Sequence, residues 1–470
     1  MRPARYHDLR TRVHTEPPIT RTLASPVILP VALICALLAS PIAPRTPRAV
    51  TLRFAVEQVL ARNERGLIAG ARADAADARL EKARSFFWPD LTLSGVYSHQ
   101  LFEADSSGST NALVRQFGGG REQSQDTLEA RANLSATLFD FKAYPLLRQA
   151  RRLRDAAALD AREARRLLAF EAASAYLSTR GALLVLRTSE LREQVALTTI
   201  ADAKARLDAR LSSAHDLTRA ELEVGTARSS LAVAKAGFDQ SVIAFAALID
   251  ADPESLVFAD AWPEGEGLVV PNSGVSSADV SAARTRRLDL AARRELVAAQ
   301  SELSTEPMRR FVPTLRGDLS YRLSSEENFS GRNDDGSFTL TLAWPLFDGF
   351  ERNADQAERL ATLRELSLAA TQQVRLVERD VSMALARSSG QAEVLKQAAS
   401  TETLAERNFK ETETLHREGL ATAFELADAT HRRFEAALAR VRAEIDAAAA
   451  CLQYNSALGL DPGGLDWSEP

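Results

Sequence analysis

The chain has 470 residues, 26% of them charged, and a formal net charge of -5. That balance speaks against nucleic acid as a partner, because phosphate backbones are held by a basic excess. The two cysteines, Cys35 and Cys451, exclude a disulfide framework and a CxxC metal site, and the six histidines show no paired-ligand spacing. Neither a metal nor any other cofactor is called for.

Residues 1–47 read as a signal peptide and leader. Arg2, Arg5, Arg10, Arg12 and Arg21 precede an apolar run from Val27 to Ala39, and small residues and prolines follow up to Pro47. The run is shorter than the ~18–20 residues that span a bilayer. Ile34 stands before Cys35 where a lipid-attachment motif wants a small residue, so a plain cleaved signal is expected. No comparable apolar run follows residue 50. The exported protein is therefore either soluble or crosses a membrane in another way.

The rest of the chain contains itself twice. Phe139-Asp140 matches Phe347-Asp348 at an offset of 208, and Ala214-His215-Asp216-Leu217 matches Ala423-Phe424-Glu425-Leu426 at 209. Upstream, Pro89–Leu93 matches Pro313–Gly317 at 224, and a longer loop in the first copy (100–127 against 324–336) takes up the difference. The repeats are 50–250 and 276–460, separated by a Pro/Gly-rich linker at 251–275 and followed by a tail at 461–470.

Each repeat shows the same order of elements. A helix at 50–85 or 277–308 comes first, N-capped by Thr51 or Ser277. Two strands follow, at about 90–99 and 127–139 in the first repeat and 314–324 and 336–347 in the second. Two long helices close each repeat, 142–210 and 213–250, then 350–417 and 422–458. The helix at 142–210 would be roughly 100 Å long at 1.5 Å per residue, so it needs partners along its whole length. Val224, Leu231, Phe238, Val242, Phe245 and Ile249, and again Phe434, Leu438, Val441, Ile445 and Leu452, fall at heptad spacings suited to coiled-coil packing.

The strands carry a period of two. Leu91, Leu93, Gly95 and Tyr97 alternate with polar residues, as do Leu128 to Leu138, Leu315 to Leu323, and Phe338 to Trp344. About ten residues is the length of a transmembrane β-strand with one face for lipid and one for water. Phe86, Phe87 and Trp88, with Trp344, Phe347 and Phe350, gather at one end like an interfacial girdle. Such strands are otherwise read as a half-buried sheet in a soluble domain; the signal peptide, the strand length, the girdle and the lack of other sheet material favour the membrane. Four strands leave two edges that cannot face hydrocarbon. Two chains would supply eight strands and three would supply twelve; the residues alone do not choose.

Over its whole mature length the chain resembles the TolC family of outer membrane efflux proteins. The segment Thr51–Asn63 resembles the family's first helix, with Thr285–Leu290 as its second copy. Pro345-Leu346-Phe347-Asp348-Gly349 resembles the strand-to-helix junction, and Ser456-Ala457-Leu458-Gly459 the closing helix. The resemblance implies a mostly α fold with a small transmembrane β part. A homotrimer would form a twelve-stranded barrel in outer-membrane lipid, continued by an α-helical periplasmic tunnel. A periplasmic adaptor and an inner-membrane ABC, RND or similar transporter would feed it, in a tripartite efflux pump or a type I secretion system.

The resemblance also marks the helix-turn-helix tips. Arg210, Leu211 and Ser212 at one tip, and Gly419, Leu420, Ala421 and Thr422 at the other, are the implied adaptor contacts. Glu425 and Asp428 share a helix face where family members line the narrowest ring with acids, and Asp216 holds a position that helps keep the entrance shut. Two departures stand out. Arg210 replaces a glycine, and the basic and aromatic positions that would meet Asp216 are Ala421 and His416, so that lock cannot form in the family's way. His416 reads either as a weak pH-sensitive group or, the favoured reading, as an exposed histidine without a role. An enzyme is not suggested, since Gly118-Gly119-Gly120 lies in a loop between strands and does not open a helix. The alternative is a soluble periplasmic coiled-coil adaptor or scaffold without a channel, which would have no use for lipid-faced strands.

Overall fold

The computed structural model describes residues 48–99, 101, 126–210, 212–258, 277–326 and 332–462, all within one compact unit. The signal peptide, most of the linker, the Gly118-Gly119-Gly120 loop, Leu211 and the tail beyond Pro462 lie outside the described residues. In chain order the elements are β1 (Arg48–Val50), α1 (Leu52–Arg62), α2 (Glu64–Ser85), β2 (Asp90–His99), β3 (Asp126–Phe139), α3 (Ala143–Asp208), α4 (Ala214–Leu248) and β4 (Leu256–Phe258). The second half continues with α5 (Ser277–Arg286), α6 (Leu288–Ser304), α7 (Glu306–Arg309), β5 (Thr314–Ser324), β6 (Asp334–Ala343), α8 (Glu351–Arg417) and α9 (Ala423–Ala457). It is a mostly helical fold with a small antiparallel sheet.

That sheet has the order β2-β3-β5-β6, so β2 and β6 are its edges. Its register puts Leu91, Leu134, Leu319 and Phe338 in one cross-strand row, and Leu93, Ala132 and Tyr321 in the next. Residues paired across strands share a face, so the four apolar sets become one continuous surface. It is uncovered by the chain itself: Leu93 is 82% exposed, Leu342 67% and Phe338 66%. The opposite face carries Thr92, Asn133, Ser320 and Ser337 in one row, with the two serine hydroxyls 2.8 Å apart. Its charges are matched locally, Arg131 with Glu129 at 2.6 Å and Arg316 with Asp318 at 3.0 Å. A register shift between Thr137 and Phe139 bends β3 just before it gives way to α3.

The helix expected at 50–85 is two helices. Thr51 does cap the first, accepting from the Phe54 N–H at 3.2 Å. The break falls at Asn63, whose side-chain oxygen caps α2 through the Arg65 N–H at 3.0 Å. Its amide nitrogen donates to the Leu248 carbonyl at the end of α4, also at 3.0 Å. One side chain thus supplies orphan groups on two helices, which outweighs a continuous ladder. The second copy, expected as one helix at 277–308, breaks at Arg287 between α5 and α6 and again at Thr305 before α7. Asn63 and Arg287 differ by 287 − 63 = 224, the upstream repeat offset. That register makes 61–66 the counterpart of Thr285–Leu290, in place of the start of the first helix.

The expectation of no further sheet is also corrected. Within the segment read as linker, β4 pairs in parallel with β1, matching Val50 to Phe258. Phe258 packs against Phe245 at 5.5 Å and Tyr176 at 6.3 Å between ring centroids. Burial of these rings with Val50, Val56, Val59 and Ile249 makes the first core cluster. Its counterpart joins Leu290, Val377, Val381, Leu385, Tyr454 and Leu458.

Along the coiled-coil seam Val224, Phe245, Ile249, Phe434 and Leu452 are buried, and the other seam residues are half-buried. At the strand-to-helix junction Arg352 is buried; it pairs with Asp348 and donates to the Arg310 and Pro345 carbonyls at 3.2 and 3.0 Å. Its guanidinium lies 3.8 Å from the Phe311 ring centroid. The matched Asp140 in the first repeat instead accepts from the Lys142 N–H at 3.1 Å.

The two hairpins meet where α3 packs against α9. A Cβ on Gly181 would fall inside the Ile445 side chain, with Cγ1 and Cγ2 only 3.2 and 3.3 Å away. Gly181→Val should therefore lower the melting temperature of the detergent-purified protein, at an overpacking cost of about 1–3 kcal/mol. Adding Ile445→Ala should recover part of the loss. Unchanged melting, followed by circular dichroism, would show that the helices do not touch there.

Candidate functional site

The chain turns back on itself at two hairpin tips, α3 to α4 and α8 to α9, and the sequence builds both with the same parts. A residue with positive φ ends the first helix of each pair, Arg210 at 61° and Gly419 at 77°. At the second tip the Leu420 N–H donates to the Leu415 carbonyl at 2.8 Å, the closure expected of a glycine-ended helix. Arg210 adopts the same left-handed conformation with a side chain attached. Ser212 follows it on the first tip, half-buried.

Each second helix then opens with a capping box. At the first, the Asp216 N–H donates to the Ser213 hydroxyl oxygen at 3.3 Å, and the Asp216 carboxylate accepts from the Ser213 N–H at 3.1 Å and from its hydroxyl at 2.9 Å. At the second, the Glu425 N–H donates to the Thr422 hydroxyl oxygen at 3.2 Å. The Glu425 carboxylate accepts from the Thr422 N–H at 2.7 Å and from its hydroxyl at 2.9 Å. Backbone and hydroxyl donors from Ser213 and Thr422 hold both acids below the ordinary carboxylate range. Of the carboxylates singled out by resemblance, two are therefore helix caps, and Asp428 pairs with Arg432 one turn on at 2.8 Å. Each of the three is satisfied within its own hairpin.

Ala421 and His416 also meet, though not through a lock with Asp216. The His416 Nδ1 lies 2.9 Å from the Ala421 carbonyl oxygen and donates to it. His416 is half-buried and closes the turn, which corrects its reading as an exposed residue without a role. Leu420 projects from the same turn with 73% of its surface exposed.

Near the tips, contacts between the hairpins come from residues that sequence reasoning passed over. Arg192 on α3 donates to Glu223 on α4 at 2.9 and 3.2 Å, and reaches across to α9, where it lies 3.3 Å from the His431 Nδ1 and 3.9 Å from Glu435. Nearer the tip the Arg219 guanidinium lies 4.7 Å from the centroid of the Phe424 ring. Nothing local marks the contacts across the hairpins, because His431, Glu435 and Phe424 lie more than two hundred positions from the arginines they meet. Among the described residues no cluster of His, Cys, Asp or Glu could hold a metal ion.

The outer membrane efflux protein family model matches residues 55–250 and 280–460, and the chain belongs to that family. The fold is similar to that of the outer membrane protein VceC from Vibrio cholerae, at 18% identity and TM-score 0.70, covering 87% of this chain and 96% of that one. It is similar to the Campylobacter jejuni CmeC outer membrane channel, at 16% identity and TM-score 0.71, covering 97% and 96%. The open state of the Neisseria gonorrhoeae MtrE outer membrane channel matches at 20% identity and TM-score 0.69, covering 88% and 89%. A comparison with curated protein sequences finds no match. The protein is thus an outer-membrane efflux protein of a Gram-negative bacterium with a large periplasmic helical portion, and its family is one of transport channels.

Two expectations follow from the tips. A side-chain-bearing residue in the left-handed region costs about 1 kcal/mol or more, so Arg210→Gly should slow hydrogen exchange of the amides at 209–216. Faster exchange would mean that Arg210 makes contacts worth more than its strain. The second concerns pH. The folded pKa values of Asp216 and Glu425 are depressed, so the caps contribute fully above the ordinary carboxylate range of about 4 and are lost as pH falls through the lower folded values. Protection of the Asp216 and Glu425 amides should hold at neutral pH and decline on acidification below about pH 4, and Asp216→Asn should flatten the response at the first tip.

Proposed function

We propose that three copies of this chain form one continuous exit duct, open to the outside through the outer membrane and reaching inward across the periplasm. One observation carries the reading: a four-stranded sheet with an uncovered apolar face and two unpaired edges, β2 and β6. In hydrocarbon those edges have no water to bond, so β2 of one copy must take β6 of the next. Three copies give twelve strands, an even number within the range of bacterial barrels, and family membership favours three over two. The polar face of the sheet then lines the lumen. Below it the two helix hairpins of each copy complete a ring of long helices.

In this arrangement the tips form the inner mouth. Glu425 and Asp428 from three copies would place six carboxylates around it, although Arg432 offsets part of the Asp428 charge. Such a ring favours cations. Asp216 adds a further negative charge on the neighbouring hairpin. The exposed Leu420, with Arg210, Ser212, Gly419, Ala421 and Thr422, forms the surface offered to a periplasmic adaptor. An inner-membrane ABC, RND or similar transporter would deliver cargo through that adaptor, in efflux or in type I secretion. A soluble scaffold with the same helices would leave Leu93, Phe338 and Leu342 in water, at a cost of roughly 1.5–3 kcal/mol for each large side chain.

Detergent-purified protein should have the mass of a trimer and form ion-conducting channels in planar bilayers; a stable monomer would overturn the assembly. Glu425→Gln combined with Asp428→Asn should move the reversal potential in a salt gradient toward zero, and an unmoved potential would remove the acidic ring from the mouth.

A further inference from the structure

We propose that a cleft beside the second core cluster binds a small organic phosphate, a monoester with a short apolar body. The cleft has a volume of about 530 Å³ and lies where α3, α8 and α9 meet. Ala384 and Ala457 belong both to its wall and to that cluster. Its occupancy does not depend on whether the duct conducts.

Helix geometry puts cations on the wall. Arg379, Met383 and Arg387 are spaced four apart on α8 and so share one face. Arg166 stands on α3, and Arg287 at the break between α5 and α6. All four guanidiniums line the cleft, against one carboxylate, Asp380. The acids that pair with the two inner arginines are not among the lining residues: Arg166 donates to Glu163 at 2.9 and 2.8 Å, and Arg287 to Asp289 at 3.0 and 2.8 Å.

Arg166 supplies charge alone. Its side chain is only 3% exposed, and its Nη1 donates to the Ser456 and Leu460 carbonyls at 3.2 and 3.0 Å. The other arginines keep donors to spare. Arg287 and Arg379 engage Asp289 and Asp380 through Nε and Nη2, and among the described residues no acceptor meets the Nη1 of either. Arg387 gives one bond, from Nη1 to the Gln453 side-chain oxygen at 3.0 Å, which leaves the Gln453 amide N–H groups as further donors.

A wall rich in N–H donors and poor in acceptors selects an oxyanion, and the guanidinium fork matches phosphate oxygens in pairs. Several converging cations suit a group that carries about two negative charges at neutral pH. A bare ion would leave much of the cleft unfilled. The rest of its surface is apolar, and Leu167 and Met383 there are 50% and 63% exposed. An ester fits both halves: its body lies on these side chains while its phosphate meets the guanidiniums.

The test is isothermal titration calorimetry on the full-length protein in a non-ionic detergent at fixed ionic strength, with butyl phosphate and inorganic phosphate as ligands. Butyl phosphate should bind saturably and about ten-fold tighter than inorganic phosphate, because its methylenes leave water. Arg379→Gln and Arg387→Gln, both at exposed positions, should each weaken butyl phosphate about ten-fold. Asp380→Asn removes the one carboxylate in the wall and should tighten it. Opposite signs at adjacent positions 379 and 380 cannot come from a general loss of folding. An absence of saturable butyl phosphate binding, or unchanged binding in these variants, would overturn the site. Inorganic phosphate bound as tightly as the ester would overturn the organic ligand. Calorimetry reads binding and bilayers read conduction, so failure here leaves the duct standing, and a protein that conducts nothing can still pass this test.

Discussion

The unpaired backbone groups along β2 and β6 are the constraint on which the rest of the molecule depends. An apolar sheet face can be left uncovered only in lipid, and in lipid an open edge has no solvent to satisfy it. In the proposed assembly, closure by neighbouring copies would answer both demands at once and would shape much below the membrane. There a closed ring of strands would hand each long helix, of 66 or 67 residues, to a ring of like helices in addition to the partners within its own chain. The local pairing of Arg131 with Glu129 and Arg316 with Asp318 belongs to the same logic, since it lets a polar face carry charge without a strong field of one sign.

The helical part grades from tight to loose. Around the breaks at Asn63 and Arg287 the core clusters, the short β1–β4 pair and the Gly181–Ile445 approach fix the helices at close-packed distances. Toward the tips the buried residues become fewer and smaller, as in the Ala196, Val224 and Ala227 cluster, and the hairpins part around a cavity. Mobility in a protein tends to sit where buried apolar contacts are few.

The duplicated halves show which features the architecture requires and which are free to diverge. Ser213 with Asp216 and Thr422 with Glu425 are the same capping box written with different residues, because a helix that begins at an exposed tip must satisfy its own N–H groups. Arg210 and Gly419 show that the turn demands a left-handed residue more strictly than it demands glycine. At the junction with the strands the copies part company. Arg352 threads a buried guanidinium between carbonyls and a ring, whereas its partner repeat relies on Asp140 and Lys142.

Much of this was legible in the chain before folding. Period-two alternation in Leu91 to Tyr97 and Phe338 to Trp344, heptad spacing from Val224 to Ile249, and the duplicated Phe-Asp pairs are local patterns, and local patterns determine the type of element and its apolar face. Tertiary structure alone decided where helices break and what joins the hairpins. Asn63 interrupts a helix because the Leu248 carbonyl arrives from 185 residues away, and β4 forms in a Pro/Gly-rich stretch because Val50 and Tyr176 supply its neighbours. Arg192 and Phe424 looked like ordinary residues on long helices, since the charge and the ring they meet come from the other repeat. Sequence periodicity records what a residue does for its own helix or strand; a bond between distant segments leaves no period to read.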